Sequence, residues 1–90
     1  MRQYETIFVL DAGLEGPAID TQVDGVVKLI EEQGFEVHEV QRWGRRRLAY
    51  PIKKKTDGVY TYIRHDASGD LLKEMTRRFQ LNEALLRHMT

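Results

Sequence analysis

Seven cationic side chains fall within fourteen consecutive residues with no acidic residue among them: Arg42, Arg45, Arg46, Arg47, Lys53, Lys54 and Lys55. Guanidinium groups can make two parallel hydrogen bonds to a phosphate, and lysine ammonium groups act as flexible point charges. Such a concentration of positive charge favours one oriented contact with a polyanion. The alternative is a charged hairpin that is simply solvated.

The rest of the chain carries the opposite charge. Its 90 residues include 14 Lys and Arg and 14 Asp and Glu, so the formal net charge is zero. Because the basic segment holds seven of the bases and none of the acids, the other 76 residues carry a net charge of −7. This balance argues against a protein that coats nucleic acid without specificity.

The length and composition are those of one small globular domain, which we expect to span residues 1–90. The chain contains no cysteine, which excludes disulfides and thiolate metal sites and fits the reducing cytoplasm where we expect this protein. The longest apolar run, Ile7 to Leu10, is far too short to span a membrane. We therefore expect no membrane partner.

Catalytic and metal-binding chemistry finds little support in the sequence. Ser68 is the only serine and stands where a helix cap is predicted. The three histidines fall in different predicted strands, and none has a second histidine three or four residues away. The loop after the first predicted strand carries Asp11 and Glu15, which would repel phosphate. We expect no catalytic residue, no metal, no cofactor and no small-molecule substrate.

The elements that must position the cations follow from the spacing of apolar residues. Residues 2–10 are rich in strand formers. A helix is predicted to begin at Gly16-Pro17 and to end at Gly34, with an apolar stripe formed by Val23, Val26, Val27 and Ile30. Residues 35–50 then predict a long strand, in which a change of parity around Gly44 indicates a bulge or twist.

The second half of the chain predicts a hairpin, a helix and a final strand. Residues 51–58 should form the hairpin tip, with Asp57-Gly58 as its turn, and residues 59–65 the returning strand. Ser68 should cap a helix whose apolar side is Leu71, Leu72, Met75 and Phe79, and residues 84–89 form the last strand. This order predicts an α+β, ferredoxin-like βαββαβ fold, a four-stranded antiparallel sheet with two helices on one face.

The other face of this sheet, here called the open face, is predicted to lack a cover. If the even-numbered residues of the first strand point toward the helices, Ile7 and Val9 point away from them. An exposed apolar pair would meet a partner surface or be shielded by long neighbouring side chains.

RNA-recognition modules of this fold stack bases on aromatic residues of the third strand. Counting from Gly58 puts Val59 and Thr61 at those positions and Tyr60 and Tyr62 beneath the helices. The sequence therefore predicts no base-stacking platform, and RNA binding would depend on charge and shape.

Three stretches of the sequence resemble the bacterial small-subunit ribosomal protein six family. Residues 43–53, WGRRRLAYPIK, resemble its pattern W-G-x-R-x-L-A-Y-P-I, the most specific of the three. The opening MRQYE resembles the family's M-R-x-Y-E start, and residues 79–87 resemble its F-x-x-N-x-x-v-x-R ending. The matches lie at the beginning, middle and end, so the resemblance covers essentially the whole chain.

The resemblance implies a non-catalytic structural protein of the small ribosomal subunit in the cytoplasm. It implies binding to the central domain of small-subunit ribosomal RNA together with ribosomal protein eighteen. It makes Arg2, Tyr4 and Arg87 candidates for RNA contact, and assigns the segment from Arg45 to Lys55 to RNA or to the protein partner.

A protein partner needs apolar area, and the sequence offers it on the open face and the second strand. The candidate partner-binding residues are Ile7, Val9, Trp43, Leu48 and Tyr50. Large amphipathic side chains are typical of interfaces, although packing at the sheet edge would also explain Trp43 and Tyr50. The alternative function is a regulatory or dimerisation module that uses the open face to pair with itself or to bind a small ligand.

Overall fold

A computed structural model describes residues 2–90 of the chain. The elements are β1 Arg2–Asp11, α1 Gly16–Glu32, β2 Val37–Ile52, β3 Lys55–Ala67, α2 Gly69–Leu81 and β4 Leu85–Met89. The strands form one antiparallel sheet in the order β2-β3-β1-β4. The predicted ferredoxin-like fold, with both helices on one face of a four-stranded sheet, is confirmed.

The first helix begins and ends as the sequence predicts. Gly16 and Pro17 open it, where the missing N–H of proline costs no hydrogen bond. Gly34 follows its last turn with φ of +86°, a conformation that glycine adopts without strain. Val26 and Val27 of the predicted stripe are only partly buried. The buried residues are Val23, Leu29 and Ile30.

The second helix is capped by Ser68, whose hydroxyl accepts a hydrogen bond from the backbone N–H of Leu71 at 3.3 Å. Its buried residues lie about one turn apart on one side: Leu71, Met75 and Phe79. Leu72 lies at the edge of this contact and is partly buried. Neither of the helices within residues 2–90 has the combination of length and hydropathy that crossing a membrane requires.

The central strands β1 and β3 build the core by alternation. Thr6, Phe8 and Leu10 point toward the helices and are fully buried, as predicted. The residues opposite them on β3 are Ile63, Thr61 and Val59, all buried on the same face. A fully buried side chain of this size contributes about 1.5–3 kcal/mol relative to an exposed one, so this layer dominates the stability of the domain.

His65 belongs to this buried layer and has a structural role. Its Nδ1 lies 2.9 Å from the backbone carbonyl oxygen of Asp66, so this nitrogen carries the hydrogen and donates. Its Nε2 lies 2.8 Å from the hydroxyl of Thr6 and accepts from it. The imidazole therefore satisfies a buried threonine and is not available for chemistry.

The turn of the β2–β3 hairpin lies four residues before the predicted one. Ile52 pairs with Lys55, which leaves Lys53 and Lys54 as a two-residue turn with φ of 51° and 66°. Positive φ at both central residues is typical of the tight turns that match the twist of hairpin strands. The predicted turn at residues 57–58 is wrong, because these residues lie inside β3.

Gly58 serves close packing and not a turn. A Cβ atom at this position would collide with Cγ1 of Val9 and lie 3.3 Å from Cδ2 of Leu48. The absent side chain lets β1 and the far part of β2 pack against the backbone of β3.

The predicted bulge in β2 is confirmed at Gly44. The pairing of β2 with β3 changes register between Arg42 and Gly44, and Gly44 has φ of +80°. Two further register changes follow Val37 and Arg47. Each adds twist to this edge strand and alters which side chains share a face.

Phe79 gives the sharpest test of this core. Its side chain is 6% exposed, and its ring centroid lies 5.8 Å from that of Phe8. We expect Phe79→Ala to lower the free energy of unfolding by roughly 3–5 kcal/mol, measured by urea titration, because it leaves a cavity beneath the sheet. Leu81→Ala, at a 70% exposed position of the same helix, should change it by less than about 0.5 kcal/mol. A near-neutral Phe79→Ala would contradict this packing.

Candidate nucleic-acid interface

The hairpin of β2 and β3 extends past the rest of the sheet. Asp11, the last residue of β1, pairs with Gly58, so the hairpin beyond this pair has no third strand beside it. We call residues 47–57 the basic arm. The arm carries its cations away from the core, at the end of the sheet where β1 ends.

Three of the seven cations in the basic segment are held by acidic side chains. Arg42 contacts Asp20 of α1 at 3.0 Å. The other two pairs are Arg45 with Asp57 at 2.8 Å and Lys55 with Asp11 at 3.5 Å. Because all of these side chains are at least partly exposed, each pair adds little stability, but it reduces the charge offered to an external phosphate.

Asp11 is fixed as an anion beside the arm. The backbone N–H of Gly13 donates to its carboxylate at 2.8 Å, and the ammonium group of Lys55 lies close by. Both contacts favour the charged form and lower the pKa of Asp11 below its ordinary value. Lys55 therefore keeps its acidic partner at neutral pH.

Arg46 lies over an aromatic pair at the base of the arm. Its guanidinium carbon is 5.3 Å from the ring centroid of Trp43, and Trp43 stacks on Tyr62 with centroids 5.7 Å apart and planes 9° apart. The indole N–H donates to Gln41 at 2.9 Å. The hydroxyl of Tyr62 donates to Glu5 at 2.7 Å, and this bond to a carboxylate raises the pKa of Tyr62.

Within residues 2–90, Arg47, Lys53 and Lys54 form no ion pair with any acidic side chain. All three are exposed. The two lysines also adopt the left-handed backbone conformation, which favours glycine or asparagine over lysine. Lys53 and Lys54, which form no ion pair within residues 2–90, thus adopt a backbone conformation that glycine or asparagine would adopt more easily.

The arginines of α2 differ from those of the arm. Arg77 and Arg78 both contact the carboxylate of Glu74, at 2.8 and 2.9 Å. These two hydrogen bonds lower the pKa of Glu74 to about 2. The carboxylate of Glu74 therefore offsets one of the two positive charges on the helix itself.

The predicted orientation of the tyrosines on β3 is wrong. Tyr60 pairs with Val9 and Tyr62 with Ile7, so both tyrosines lie on the open face, while Thr61 lies beneath the helices. Gly58 lies inside β3 and not in a turn, so an alternation of faces that starts from it assigns the two tyrosines to the wrong side of the sheet. The alternation of small and aliphatic residues from Val59 to Ala67 carried the correct signal. The open face therefore bears aromatic rings, and Tyr62 already stacks on Trp43.

An apolar groove runs along the open face between β1, β3 and β4. Its apolar lining includes Ile7, Val9, Tyr60 and Met89. Arg87 borders the groove and donates from Nη1 to the hydroxyl of Tyr50 at 3.2 Å. The structure thus joins Arg87, a predicted RNA contact, to Tyr50, a predicted partner contact.

The candidate partner-binding residues differ in the surface that they offer. Tyr50 is 56% exposed. Val9 is only 3% and Leu48 only 9% exposed, because the side chains of both pack close to Gly58 of β3. Ile7 and Trp43 are partly exposed. Met89, which the sequence did not single out, is 55% exposed and lies opposite Ile7.

Arg2 and Tyr4 lie at the other end of β1, away from the arm. The ten residues of β1 separate Arg2 from Asp11, a distance of about 30 Å along an extended strand. Tyr4 is partly buried against the core, on the helix side of the sheet. The structure therefore does not bring these two residues together with the arm or with Arg87.

Sequence and structure comparisons agree on the family. The family described as ribosomal protein S6 matches residues 3–90. The chain belongs to the ribosomal protein S6 family. It is 41% identical to small ribosomal subunit protein bS6 of Streptomyces griseus, over 97% of this chain and 91% of that protein. It is 39% identical to bS6 of Clostridium novyi, over 99% and 94% of the two chains.

A solved structure supports the same membership. The crystal structure of 30S ribosomal protein S6 from Thermotoga maritima superposes with a TM-score of 0.91 at 30% identity. The match covers 98% of this chain and 83% of that one. The predicted family, fold and location in the small ribosomal subunit of the cytoplasm are therefore confirmed, and a role in translation as part of a ribonucleoprotein follows from the family.

The strained turn at the tip of the arm gives a prediction that separates folding from binding. We expect the double change Lys53→Asn with Lys54→Gly to raise the free energy of unfolding by roughly 1 kcal/mol, because these residues adopt positive φ more readily. The control, Lys53→Ala with Lys54→Ala, removes the same charge without this relief and should not stabilise. Urea titration of both variants measures the difference. Equal stability of the two would contradict strain at the turn.

Proposed function

We propose that this protein binds the central domain of small-subunit ribosomal RNA together with ribosomal protein eighteen. We further propose that it does so as a single non-catalytic domain over residues 1–90. The observation that carries the RNA part is the basic arm, which presents Arg47, Lys53 and Lys54, none of them paired with an acidic side chain in the described range 2–90. Family membership supplies the ribosomal context.

The cations of the arm suit phosphate groups of a folded RNA. Arg47 offers a planar fork for two hydrogen bonds, and the turn lysines provide point charges at the tip. Arg46, placed over Trp43, is a fourth cation without an acidic partner among residues 2–90. With about three to five phosphates neutralised, log affinity should fall with log salt concentration at roughly −0.9 per contact, by analogy with duplex DNA.

Arg2 and Tyr4 suit a second RNA contact that is independent of the arm. The resemblance makes them candidates for RNA contact, and along β1 Arg2 lies about 30 Å and Tyr4 about 23 Å from Asp11, beside the arm. A rigid sheet with contacts at both ends would fix the orientation of the protein on RNA better than one patch. Phosphate contacts of this kind determine register more than sequence specificity.

The groove on the open face suits the protein partner. Its apolar lining and the exposed Tyr50 and Met89 offer the area that an interface core needs. The chain outside the basic segment is acidic, which complements a basic partner. Cations of that partner would add phosphate contacts that this chain lacks.

Replacement of the unpaired cations tests the RNA contact. We expect Arg47→Gln with Lys54→Gln to weaken binding to central-domain RNA and to make the salt slope shallower by about two. Lys28→Gln with Lys73→Gln removes the same charge from the exposed sides of the helices and should leave the slope unchanged. Filter binding over a salt series measures both. If the two double variants bind RNA equally well, the arm is not the contact.

Replacement of the three consecutive arginines, Arg45, Arg46 and Arg47, affects more than the charge of the basic segment. Arg45 is held by Asp57 and Arg46 lies over Trp43, so replacing all three with alanine also removes contacts at the base of the arm. The triple variant should fold, since exposed ion pairs contribute at most about 1 kcal/mol. It should also weaken assembly onto RNA or onto the partner.

Titration of central-domain RNA with and without ribosomal protein eighteen tests the partnership. We expect tighter binding in its presence, and linkage requires RNA to tighten the protein pair by the same factor. Met89→Gln should weaken the pair, whereas Leu81→Gln, an equally polar change at an exposed residue of α2, should not. Equal RNA affinity in both titrations would contradict cooperative binding. A stable homodimer that does not bind RNA would instead support the alternative function, a dimerisation module.

A further inference from the structure

Glu36, His38 and Asp66 meet where the chain enters β2 and leaves β3. The backbone N–H of Asp66 donates to the carbonyl of Glu36 at 2.9 Å, which fixes the two residues opposite each other. His38 lies at the register change between Val37 and Glu39, and bulges of this kind redirect side chains. One possible ligand atom from each of the three side chains lies within 4.8 Å of the others.

Two of the three side chains are held in place. Nε2 of His38 lies 2.9 Å from Oδ1 of Asp66, and these side chains are 24% and 21% exposed. Nδ1 of His38 lies 3.9 Å from Oε2 of Glu36, whose side chain is 74% exposed and free to turn. The cluster therefore combines a fixed nitrogen–oxygen pair with a third carboxylate that can close over it.

This donor set fits a borderline divalent cation. Zinc binds imidazole nitrogen and carboxylate oxygen at about 2.0–2.2 Å, which places neighbouring ligand atoms roughly 3.3 Å apart. The His38–Asp66 pair is close to that spacing, and Glu36, which faces the other ring nitrogen of His38, has a carboxylate within the 4.8 Å that encloses the cluster. Mg²⁺ prefers oxygen ligands and retains its waters, so the imidazole selects against it.

The cationic side chain of Arg64, near the cluster, is already engaged with other side chains. Arg64 lies on the same face two residues before Asp66, and its Nε is 3.7 Å from Oε1 of Glu39. Its Nη1 donates to Gln3 at 3.4 Å. The guanidinium group of Arg64 is thus paired with Glu39, outside the cluster.

We propose that Glu36, His38 and Asp66 form a binding site for Zn²⁺ or a cation of similar chemistry. The spacing of the histidines along the chain predicts no metal site, because a second ligand three or four residues away is a helical pattern. On a sheet, ligands instead come from alternate residues of one strand and from its neighbour. The site lies at the opposite end of the sheet from the arm, where Gln3 of β1 pairs with Asp66. It is therefore independent of the RNA contact proposed for the arm.

NMR of the full chain during titration with ZnCl₂ tests the proposal directly. At a pH of about 7.5, where imidazole groups are ordinarily neutral, saturable changes should appear at the ring signals of His38. The same concentrations of MgCl₂ should leave these signals unchanged. The wild-type chain alone gives this result, so it does not depend on the folding of a variant.

Variants then identify the ligands. His38→Asn and Asp66→Asn should each weaken Zn²⁺ binding at least about tenfold, and Glu36→Gln should weaken it less. Glu39→Gln, the same charge change one residue beyond the cluster, should change the affinity less than about twofold. The proposal is overturned if Zn²⁺ produces no saturable change, or if the signals of His65 or His88 respond and those of His38 do not. Equal binding of Mg²⁺, or equal loss with Glu39→Gln, would overturn it as well.

Discussion

The rest of the structure depends on the antiparallel register of β1 against β3. With Phe8 opposite Thr61 and Ile7 opposite Tyr62, every small or aliphatic residue of β3 from Val59 to Ala67 lies beneath the helices. A slip of one residue would move this whole set to the open face, because side chains alternate along a strand. The helices have only one apolar side each, so no other register buries both strands and helices together.

The same register separates the charges of the molecule. Asp11 ends β1 opposite Gly58, which leaves the hairpin to continue alone as the basic arm. At the other end, Asp66 is placed beside Glu36 and His38. A chain of zero net charge thereby becomes a sheet with a cationic end and an acidic end. The RNA contact proposed for the arm and the proposed metal site therefore lie at opposite ends of one sheet.

The arm shows where folding and binding favour different residues. Lysines in a left-handed turn cost stability that asparagine and glycine would recover. Pairing with acids would stabilise the arm slightly, but it would also remove charge from its surface, as it does for Arg45 and Lys55. Within residues 2–90, the cations of the basic segment that form no ion pair are Arg46, Arg47, Lys53 and Lys54. The RNA contact that we propose requires such cations, whereas stability does not favour them.

The sequence by itself determined the element order, because this order depends on local periodicity. It also determined the helix ends at Pro17, Gly34 and Ser68 through local capping, and the family through a specific motif. It did not determine the hairpin turn or the face of Tyr60 and Tyr62. The sequence does not distinguish a glycine that permits close packing from a glycine that permits a turn. The close approach of Val9 to Gly58 in the folded sheet shows that this glycine has the packing role. The pairing of cations with Asp11, Asp20 and Asp57, and the meeting of His38 with Asp66, join residues distant along the chain. Tertiary structure alone decides such contacts, because strand register sets which side chains become neighbours.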